Sequence, residues 1–321
     1  MTAIRVHEFG VPEVLRVEQI PVPEIKPETL LVKIEAVGVN PVETYLRSGS
    51  NPLLPRPYTP GSDAAGSVLA VGQGVGEEWI GRKIYTSGTL SGAYAEWALV
   101  GLEQAHQLPD GFDAAMGAAV HIPYFTAYRA LFQRARTKPG ETVLIHGGSG
   151  GVGIAAIQLA RWAGLRVVAT AGTEAGRALV MKEGADLALD HHAADIQERI
   201  LEFTKGRGVD VILEMLSNVN LGRDLKWLAA RGRVVVIGSR GTVEVNPRDA
   251  MMREADILGL FLFNATPAEL GEIARGLLAG FESGKFRPVI GKRFPLSAAA
   301  EAHVAIMSPG ALGKIVLEVG G

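Results

Sequence analysis

The stretch ETVLIHGGSGGVG, residues Glu141–Gly153, decides the fold of this chain. Its apolar run Thr142–His146 is typical of a buried strand, and the glycine-rich turn after it leads into a segment with helical apolar spacing. Gly148, Gly150 and Gly153 satisfy G-x-G-x-x-G in this strand–turn–helix setting. Such glycines allow a tight turn, close approach of a pyrophosphate and close helix–strand packing, with the phosphates on free N–H groups at the helix start. The stretch therefore predicts a dinucleotide-binding turn.

Ser149 gives the same turn a second interpretation. The residues GGSGG also fit G-x-S-x-G, the nucleophile elbow of serine hydrolases, and His303 is a candidate for the later histidine that such an enzyme needs. No HGGG-type oxyanion segment precedes the turn, and closely spaced glycines suit a phosphate better than a held nucleophile. The hydrolase therefore stays as a minor alternative. A Walker loop is excluded because no Lys-Ser/Thr follows the glycines.

Composition limits the class of protein. The chain has 321 residues, enough for about two domains, and its net charge of −2 offers no electrostatic footprint for nucleic acid or anionic membranes. No apolar run is long enough to span a bilayer, and the N-terminus lacks the apolar region of a signal peptide, so we expect a cytoplasmic protein. The chain has no cysteine, and its seven histidines lack ligand spacing, so we expect no metal site.

Two patterns of predicted secondary structure divide the chain. Residues 1–120 contain short β-like runs between Gly and Pro, such as Leu30–Val39, which predict a partly closed β-barrel or sandwich. From Pro123 onward, apolar strands alternate with helices such as Tyr124–Arg134 and Leu221–Ala230. This alternation predicts a parallel sheet covered on both faces, the doubly wound Rossmann domain of an α/β protein. The later apolar run Ile257–Phe263 predicts either a buried strand or an edge strand completed by a second subunit.

Several sequence blocks together identify a family. They are GVNPVETYLRSG (Gly38–Gly49), YTPGSDAAG (Tyr58–Gly66), IPYFTAYRAL (Ile122–Leu131), HGGSGGVG (His146–Gly153), EMLSNVNL (Glu214–Leu221) and VVVIGSRGTVEVNPRD (Val234–Asp249). Through these blocks the chain resembles, from end to end, the zinc-independent quinone oxidoreductases of the medium-chain dehydrogenase/reductase superfamily, and most closely their zeta-crystallin branch.

The resemblance implies a discontinuous two-domain molecule. A GroES-like β-barrel catalytic domain would take residues 1–123 and be completed by residues 266–321, while residues 124–265 would form the Rossmann domain, with the cofactor between the two. It also implies a homodimer through the strand at residues 257–263, with a tetramer as an alternative.

The same resemblance addresses zinc. Zinc-dependent alcohol dehydrogenases carry Gly-Val-Cys and Gly-His-Glu where this chain reads Gly38-Val39-Asn40 and Gly61-Ser62-Asp63. Asn40 stands where a thiolate ligand would be, and Ser62 where an imidazole ligand would be. The chain thus lacks the ligands of the catalytic zinc, and alcohol oxidation, which needs a Lewis acid, is disfavoured.

The strand after the glycine turn bears on cofactor choice. NAD-specific Rossmann domains carry an acidic residue about 20 positions past the turn, where it binds the ribose 2′-hydroxyl. Here that strand ends Thr170-Ala171-Gly172-Thr173, without a carboxylate. Arg177, Lys182 and His191 are candidate partners of a 2′-phosphate, although the nearby acidic residue Glu174 counts against binding this phosphate. The pattern therefore favours NADPH.

Further site residues follow from the resemblance and from the sheet pattern. Tyr45 would lie beside the nicotinamide, Asn40 would donate to the acceptor oxygen or hold its loop, and Asp63 would organise the cleft. Asn220 would contact the cofactor, cap its helix, or both. The remaining predicted cofactor contacts are Thr126, Gly148, Ser149, Gly150, Gly151, Val152, Gly172, Thr173, Arg177, His191, Ile237, Gly238, Ser239, Arg240, Leu260, Phe261 and Leu262.

Quinones and conjugated enones accept hydride without a metal because the added charge delocalises onto oxygen. The sequence therefore predicts an NADPH:quinone oxidoreductase, with an NADPH-dependent reductase of α,β-unsaturated ketones or aldehydes as an alternative. The zeta-crystallin branch is also associated with AU-rich RNA and with a structural lens role. An RNA-binding or structural protein that retains NADPH is thus the alternative from another class, although the net charge of −2 speaks against tight RNA binding.

Overall fold

The computed structural model describes residues 1–320 and divides the chain into two compact units. The first unit consists of Met1–Ile122 together with the segment from Pro288 onward, and the second consists of Pro123–Arg287. Among residues 1–320, no helix is long and apolar enough to cross a membrane.

Fifteen strands and ten α-helices, numbered along the chain, make up these units. The strands are β1 (Thr2–Val6), β2 (Leu15–Gln19), β3 (Thr29–Val39), β4 (Asp63–Val71), β5 (Lys83–Thr86), β6 (Trp97–Gly101), β7 (Ala105–Gln107), β8 (Thr142–Ile145), β9 (Arg166–Thr170), β10 (Leu187–Leu189), β11 (Val209–Glu214), β12 (Leu228–Val236), β13 (Asp256–Gly259), β14 (Ile290–Pro295) and β15 (Lys314–Glu318), all within residues 1–320. The helices are α1 (Pro41–Arg47), α2 (Ala114–Gly117), α3 (Thr126–Tyr128), α4 (Gly151–Trp162), α5 (Glu174–Lys182), α6 (Ile196–Phe203), α7 (Ser217–Trp227), α8 (Pro247–Met251), α9 (Pro267–Glu282) and α10 (Ala299–Met307), again within the described part of the chain.

The first unit is built around β3. One edge of this long strand pairs with β4, while its other edge pairs with β6 over residues 29–33 and with β15 over residues 36–39. The sheet order is β14-β15-β3-β4-β5-β7, with β6 also on β3, and all these pairings are antiparallel except β14 with β15. Buried apolar side chains such as Ile34, Tyr94 and Leu317 form its core. C-terminal β15 thereby places Lys314 next to the end of β3.

The second unit is the predicted doubly wound domain. Its six parallel strands have the order β10-β9-β8-β11-β12-β13, so the chain reverses direction across the sheet between β8 and β11. This is the Rossmann order 3-2-1-4-5-6, in which ligands bind outside the carboxyl ends of the strands near the reversal point. Leu144, Val168 and Ile212 are fully buried, as expected for a sheet covered on both faces.

The return to the first unit occurs later than predicted. The expected boundary at residue 266 is wrong in the structure, because α9 belongs to the second unit. Ile273, Leu277 and Phe281 of α9 are buried, and the Phe281 ring lies 5.1 Å from the Tyr124 ring. Apolar packing of α9 within the second unit thus moves the boundary to Pro288.

The predicted strand Ile257–Phe263 is also shorter in the structure. β13 ends at Gly259 because its partner β12 ends at Val236, and after Leu260 donates to the Val236 carbonyl the chain enters a 3-10 turn at Leu262–Asn264. Ile257 is 46% exposed in the single chain, so the interpretation of this run as a buried strand is wrong. β13 is instead an edge strand of this sheet.

Two predicted helices differ in extent. The segment predicted as helix Tyr124–Arg134 is α-helical only in α3, with π-helical turns before and after it. The predicted helix Leu221–Ala230 is α7, which starts at Ser217 and ends at Trp227, since Leu228 already begins β12. Residues 228–230, which the apolar spacing had assigned to a helix, thus belong to the sheet.

Candidate functional site

The glycine turn after β8 is tight for reasons that differ from residue to residue. Gly147, with φ +60°, takes the left-handed conformation, although the sequence motif starts one residue later. A Cβ on Gly148 would lie 3.0 Å from the side chains of Ala169 and Val180, and a Cβ on Gly153 would lie 2.4 Å from the Gly147 carbonyl oxygen. These two positions require glycine for packing, so the predicted close helix–strand approach is present.

Gly150 has a different environment. It is the N-cap of α4, and the nearest atom to a Cβ built on it is the Gly147 carbonyl oxygen at 3.5 Å. The protein itself therefore leaves room for a side chain at Gly150. N–H groups in the first turn of α4 have no partner within the helix, and they can bind an anion. Gly151 and Val152 lie in this first turn and Ser149 directly precedes the N-cap, so the cradle fits the pyrophosphate of a dinucleotide.

The adenosine-end candidates gather at the ends of β9 and β10. Thr173 caps α5 by accepting the Gly176 N–H at 3.0 Å, and a Cβ on Gly172 would lie 2.7 Å from Nε2 of His191. Arg177 donates to Oδ2 of Asp190 at 2.8 Å. The predicted phosphate partner Arg177 is thus already ion-paired with a carboxylate that the sequence analysis did not consider.

The nicotinamide-end candidates follow β12 and β13. The Ile237 N–H donates to the Glu214 carbonyl at 2.9 Å, and a Cβ on Gly238 would lie 2.4 Å from the Met215 carbonyl oxygen. Leu262 is buried, whereas the Phe261 side chain is 55% exposed. The predicted residues that lie with these at the carboxyl ends of the sheet strands are Gly148, Ser149, Gly150, Gly151, Val152, Gly172, Thr173, Arg177, His191, Asn220, Ile237, Gly238, Ser239, Arg240, Leu260, Phe261 and Leu262.

Two predicted contacts do not lie in the loops that follow the strands. Thr126 is buried in α3, a helix that packs against α4, and Tyr45 is half-buried in α1 of the first unit. Asn220 is the fourth residue of α7, so its predicted role as an N-cap is wrong; Leu216 precedes the helix. Its amide instead donates to Oε1 of Glu214 at 3.2 Å.

A polar cluster that the sequence did not predict lies behind the glycine turn. His146, Glu214 and Asp224 are buried and bring three ligand-type atoms within 4.8 Å of one another, the one such group among residues 1–320. His146 follows β8 directly and Glu214 ends β11, so a polar residue at the end of an apolar strand was the signal for two of the three.

The first unit contains a second buried cluster, around Lys314. The Lys314 ammonium donates to Oδ1 of Asn40 and, at 3.1 Å, to Oδ2 of Asp63. Asn40 donates back to Asp63 at 3.1 Å, and Nδ1 of His121 lies 3.0 Å from Oδ1 of Asp63. Burial alone would raise the pKa of Asp63, but the Lys314 ammonium and the hydrogen bonds from His121 and Asn40 hold it below its usual value. Asp63 is therefore an ionised, internally paired carboxylate.

Glu43 extends this cluster. It closes a capping box by accepting the Asn40 N–H at 2.8 Å, and it also accepts the Tyr94 hydroxyl at 3.0 Å. Burial, together with the charge of Asp63, raises the pKa of Glu43 to about 7. His303 lies 3.1 Å from the Tyr94 hydroxyl, and burial lowers its pKa to about 4. His303 thus has a structural partner in the first unit, whereas Ser149 belongs to the second.

These residues do not fit a catalytic zinc ion. Asn40 offers an amide that is bonded on both sides, and Ser62 is engaged through its backbone by Glu43, at 3.3 Å, and by Thr86, at 3.1 Å. The Lys314 ammonium among them supplies the positive charge that balances Asp63. A cation-binding set would need thiolate, imidazole or free carboxylate ligands instead.

Comparison with known proteins gives a consistent result. Residues 151–278 match the family described as zinc-binding dehydrogenase, and residues 26–110 match the alcohol dehydrogenase GroES-like domain. The human protein named quinone oxidoreductase is 49% identical over 322 aligned positions, covering 99% of this chain and 97% of the relative.

Solved structures agree. A structure of Escherichia coli quinone oxidoreductase complexed with NADPH superimposes with a TM-score of 0.88 at 28% identity, covering 99% of this chain and 100% of the other. A mycobacterial protein complexed with NADPH superimposes with a TM-score of 0.90 at 32% identity, covering 99% of this chain and 100% of the other. The chain therefore belongs to the quinone oxidoreductase family of the medium-chain dehydrogenase/reductase superfamily.

Proposed function

We propose that this protein reduces quinones with NADPH and that it does so without a metal ion. The observation that carries the proposal is the buried Lys314 ammonium, which donates to both Asn40 and Asp63. Asn40 stands at the position of a zinc ligand in zinc-dependent relatives, and Asp63 directly follows Ser62, which stands at the position of another. An acceptor whose added charge delocalises onto oxygen needs no Lewis acid, and quinones meet that condition.

The second unit holds the cofactor in this proposal. Ser149 and the first turn of α4 bind the pyrophosphate through backbone N–H groups, while His191 and Arg177 serve the adenosine end. Leu260 and its neighbours wall the nicotinamide and exclude water. Bound NADPH supplies the hydride; the protein contributes position and desolvation.

The catalytic residues are assigned to the first unit. Tyr45 borders the nicotinamide and limits where a flat acceptor can lie. Asn40 is a positioning residue, because Lys314 and Asp63 already bond both ends of its amide. Asp63 is not a proton donor in this scheme, since its pKa is held low by Lys314 and its other partners, and the reduced quinone takes its proton from water.

We also propose a homodimer through the edge at residues 257–263. Ile257, Phe261 and Phe263 are each about half exposed there, with β13 offering an unpaired strand edge. An open apolar edge favours pairing with a second copy across a two-fold axis.

Removal of metals tests the metal-free part of the proposal. The rate of NADPH oxidation with a quinone should stay the same after exhaustive dialysis against a chelator, because no residue of the Lys314 cluster depends on a bound cation. Loss of the rate on dialysis, with recovery on adding zinc, would contradict it.

A further inference from the structure

The buried cluster of His146, Glu214 and Asp224 takes no part in the scheme above, yet it connects two of the loops that hold the cofactor. The relative exposures of these residues are 3%, 0% and 0%. Thr170 accepts the Gly147 N–H at 3.3 Å, so its hydroxyl is free to donate to Nδ1 of His146, also at 3.3 Å. Nε2 of His146 then donates to Oδ1 of Asp224 at 3.0 Å. A hydrogen-bond chain thus runs from the glycine turn to α7.

Glu214, whose Oε2 lies 3.5 Å from Nε2 of His146, extends the cluster to Asn220. Its Oε1 accepts the Leu216 N–H and, at 3.2 Å, one amide hydrogen of Asn220. Arg223 donates to the carbonyl oxygen of the same amide. These bonds fix the amide plane of Asn220 and leave it one hydrogen for a ligand. Glu214 therefore orients a residue that we assign to the cofactor.

The two carboxyl groups have unsatisfied atoms that one proton would satisfy. Oε2 of Glu214 and Oδ2 of Asp224 are buried and, within residues 1–320, have no hydrogen-bond partner. Burial raises the pKa of Glu214 to about 7 and the pKa of Asp224 to about 7. Carboxylate oxygens of Glu214 and Asp224 lie within 4.8 Å of each other. Two carboxylates at this separation cannot both ionise without a large cost, and a shared proton turns the repulsion into a hydrogen bond.

A metal ion is the other occupant to consider, and the surroundings disfavour it. Asn220 and the Leu216 N–H already point donors at Glu214, and the guanidinium of Arg223 supplies a positive charge next to Asp224. His191, in the loop after β10, is a further titratable group whose charge interacts with His146. Donors and a fixed cation would repel a second cation.

We propose that Glu214 and Asp224 share one proton and act, with His146, as positioning residues that hold the glycine turn and Asn220 in the geometry that binds NADPH. The inference rests on the proposed use of this sheet edge as the cofactor site. As the pH rises, the shared proton passes to solvent, the pair carries two negative charges, and their repulsion disturbs both loops. The extra negative charge also lies close to the pyrophosphate cradle, so NADPH should bind more weakly.

The test is the Kd of NADPH, by fluorescence titration, from about pH 7 to about pH 9. In this range the 2′-phosphate, with a pKa near ~6, is already ionised. His191 is already neutral there, because burial holds its pKa below the usual value. For the native chain we expect the Kd to rise about tenfold across the range, since one proton is linked to binding. KM for NADPH should follow the Kd, while kcat at saturating NADPH changes less than about twofold.

Two isosteric variants and one matched control complete the test. In Asp224→Asn the amide donates permanently to Glu214 and still accepts from His146, so its Kd should change less than about twofold over the same range. Glu214→Gln should behave in the same way and serves if the first variant fails to fold. Asp256→Asn, an exposed change on β13, should keep the native profile.

Each outcome has a distinct meaning. A native Kd that does not change with pH would overturn the proposal, as would a native-like rise in both folded cluster variants. A stoichiometric metal in the purified protein would overturn it in favour of a metal site. Absence of NADPH binding at every pH would contradict the proposed function instead, because the cluster acts only through that binding.

Discussion

Gly150 and Gly153 belong to one sequence motif but meet different constraints. A methyl group on Gly153 collides with the turn itself, whereas one on Gly150 fits the protein and meets only the space that we assign to the pyrophosphate. The motif predicted both glycines as necessary; the packing requirement is present at Gly153, while the requirement at Gly150 stays a prediction. It could not say that the left-handed conformation falls on Gly147, since that follows from how β8 ends.

Gly150→Ala should therefore separate binding from folding. We expect a loss of at most about 1 kcal/mol of stability, the cost of a poorer N-cap, together with at least about a tenfold rise in KM for NADPH. Gly153→Ala is the matched comparison and should lose about 1–3 kcal/mol through overpacking. Thermal unfolding and steady-state kinetics check both variants, and an unchanged KM in Gly150→Ala would show that the pyrophosphate lies elsewhere.

Glu43 gives the stability of the protein a predictable pH dependence. Burial raises its pKa from 4.5 to about 7, so the protonated form is favoured in the folded state. Protonated Glu43 makes its whole contribution to the free energy of unfolding below about pH 4.5, and this contribution is lost as the pH rises through about 7. Glu43→Gln removes this titration, so between about pH 5 and about pH 8 the variant should gain up to about 3 kcal/mol relative to the native chain.

Denaturant unfolding at several pH values measures this difference. Glu214 and Asp224 titrate in the same direction in both proteins, so they cancel from the comparison. Glu103→Gln, at an exposed position, should give a difference that does not vary with pH. A constant difference for Glu43→Gln as well would mean that Glu43 is ionised in the folded protein throughout.

Lys314 marks the limit of prediction at this scale. Its sequence context assigned Lys314 no role, and no neighbouring residue indicates that it is buried. Its partners Asn40 and Asp63 lie 274 and 251 positions away along the chain, and only the pairing of β15 with β3 brings them together. Asn40 and Asp63 were predicted as site residues through the family resemblance, but the charge that fixes them was not.

At the scale of elements, apolar periodicity predicted the alternation of strands and helices but not where they end. β13 stops at Gly259 because β12 offers no further partner, although the apolar run continues to Phe263. The assignment of α9 to the second unit depends on packing against Tyr124 and its neighbours, which no spacing in α9 itself reveals. Length of a pairing partner and tertiary packing thus set the boundaries.

The exposed edge at β13 yields a prediction about assembly. Ile257→Lys puts a charge on an edge strand that we propose to pair with its twin, so the protein should sediment as a monomer. Leu69→Lys is the matched control, because Leu69 is an exposed apolar residue of β4 in the first unit, and this variant should remain a dimer. Sedimentation velocity distinguishes the two, and a dimeric Ile257→Lys would place the interface elsewhere.

At the scale of the whole molecule, the family could be recognised from sequence because its blocks span both units. The GroES-like and Rossmann units are both confirmed, and the membership rests on a relative 49% identical along nearly the whole chain. Family membership favours the dinucleotide interpretation of the glycine turn over the hydrolase interpretation of Ser149, and the candidate His303 is buried and bonded to the Tyr94 hydroxyl. The acceptor is the part of the function that neither the motif nor the fold specifies.

The most direct test of the account is NADPH oxidation measured against a panel of quinones and α,β-unsaturated ketones, with NADH measured in parallel. We expect turnover with at least one quinone and a kcat/KM for NADPH at least about tenfold above that for NADH, because the end of β9 carries no carboxylate to repel the 2′-phosphate. Turnover with enones alone would move the acceptor to the second class. No turnover with any quinone, or equal use of NADH, would contradict the central claim.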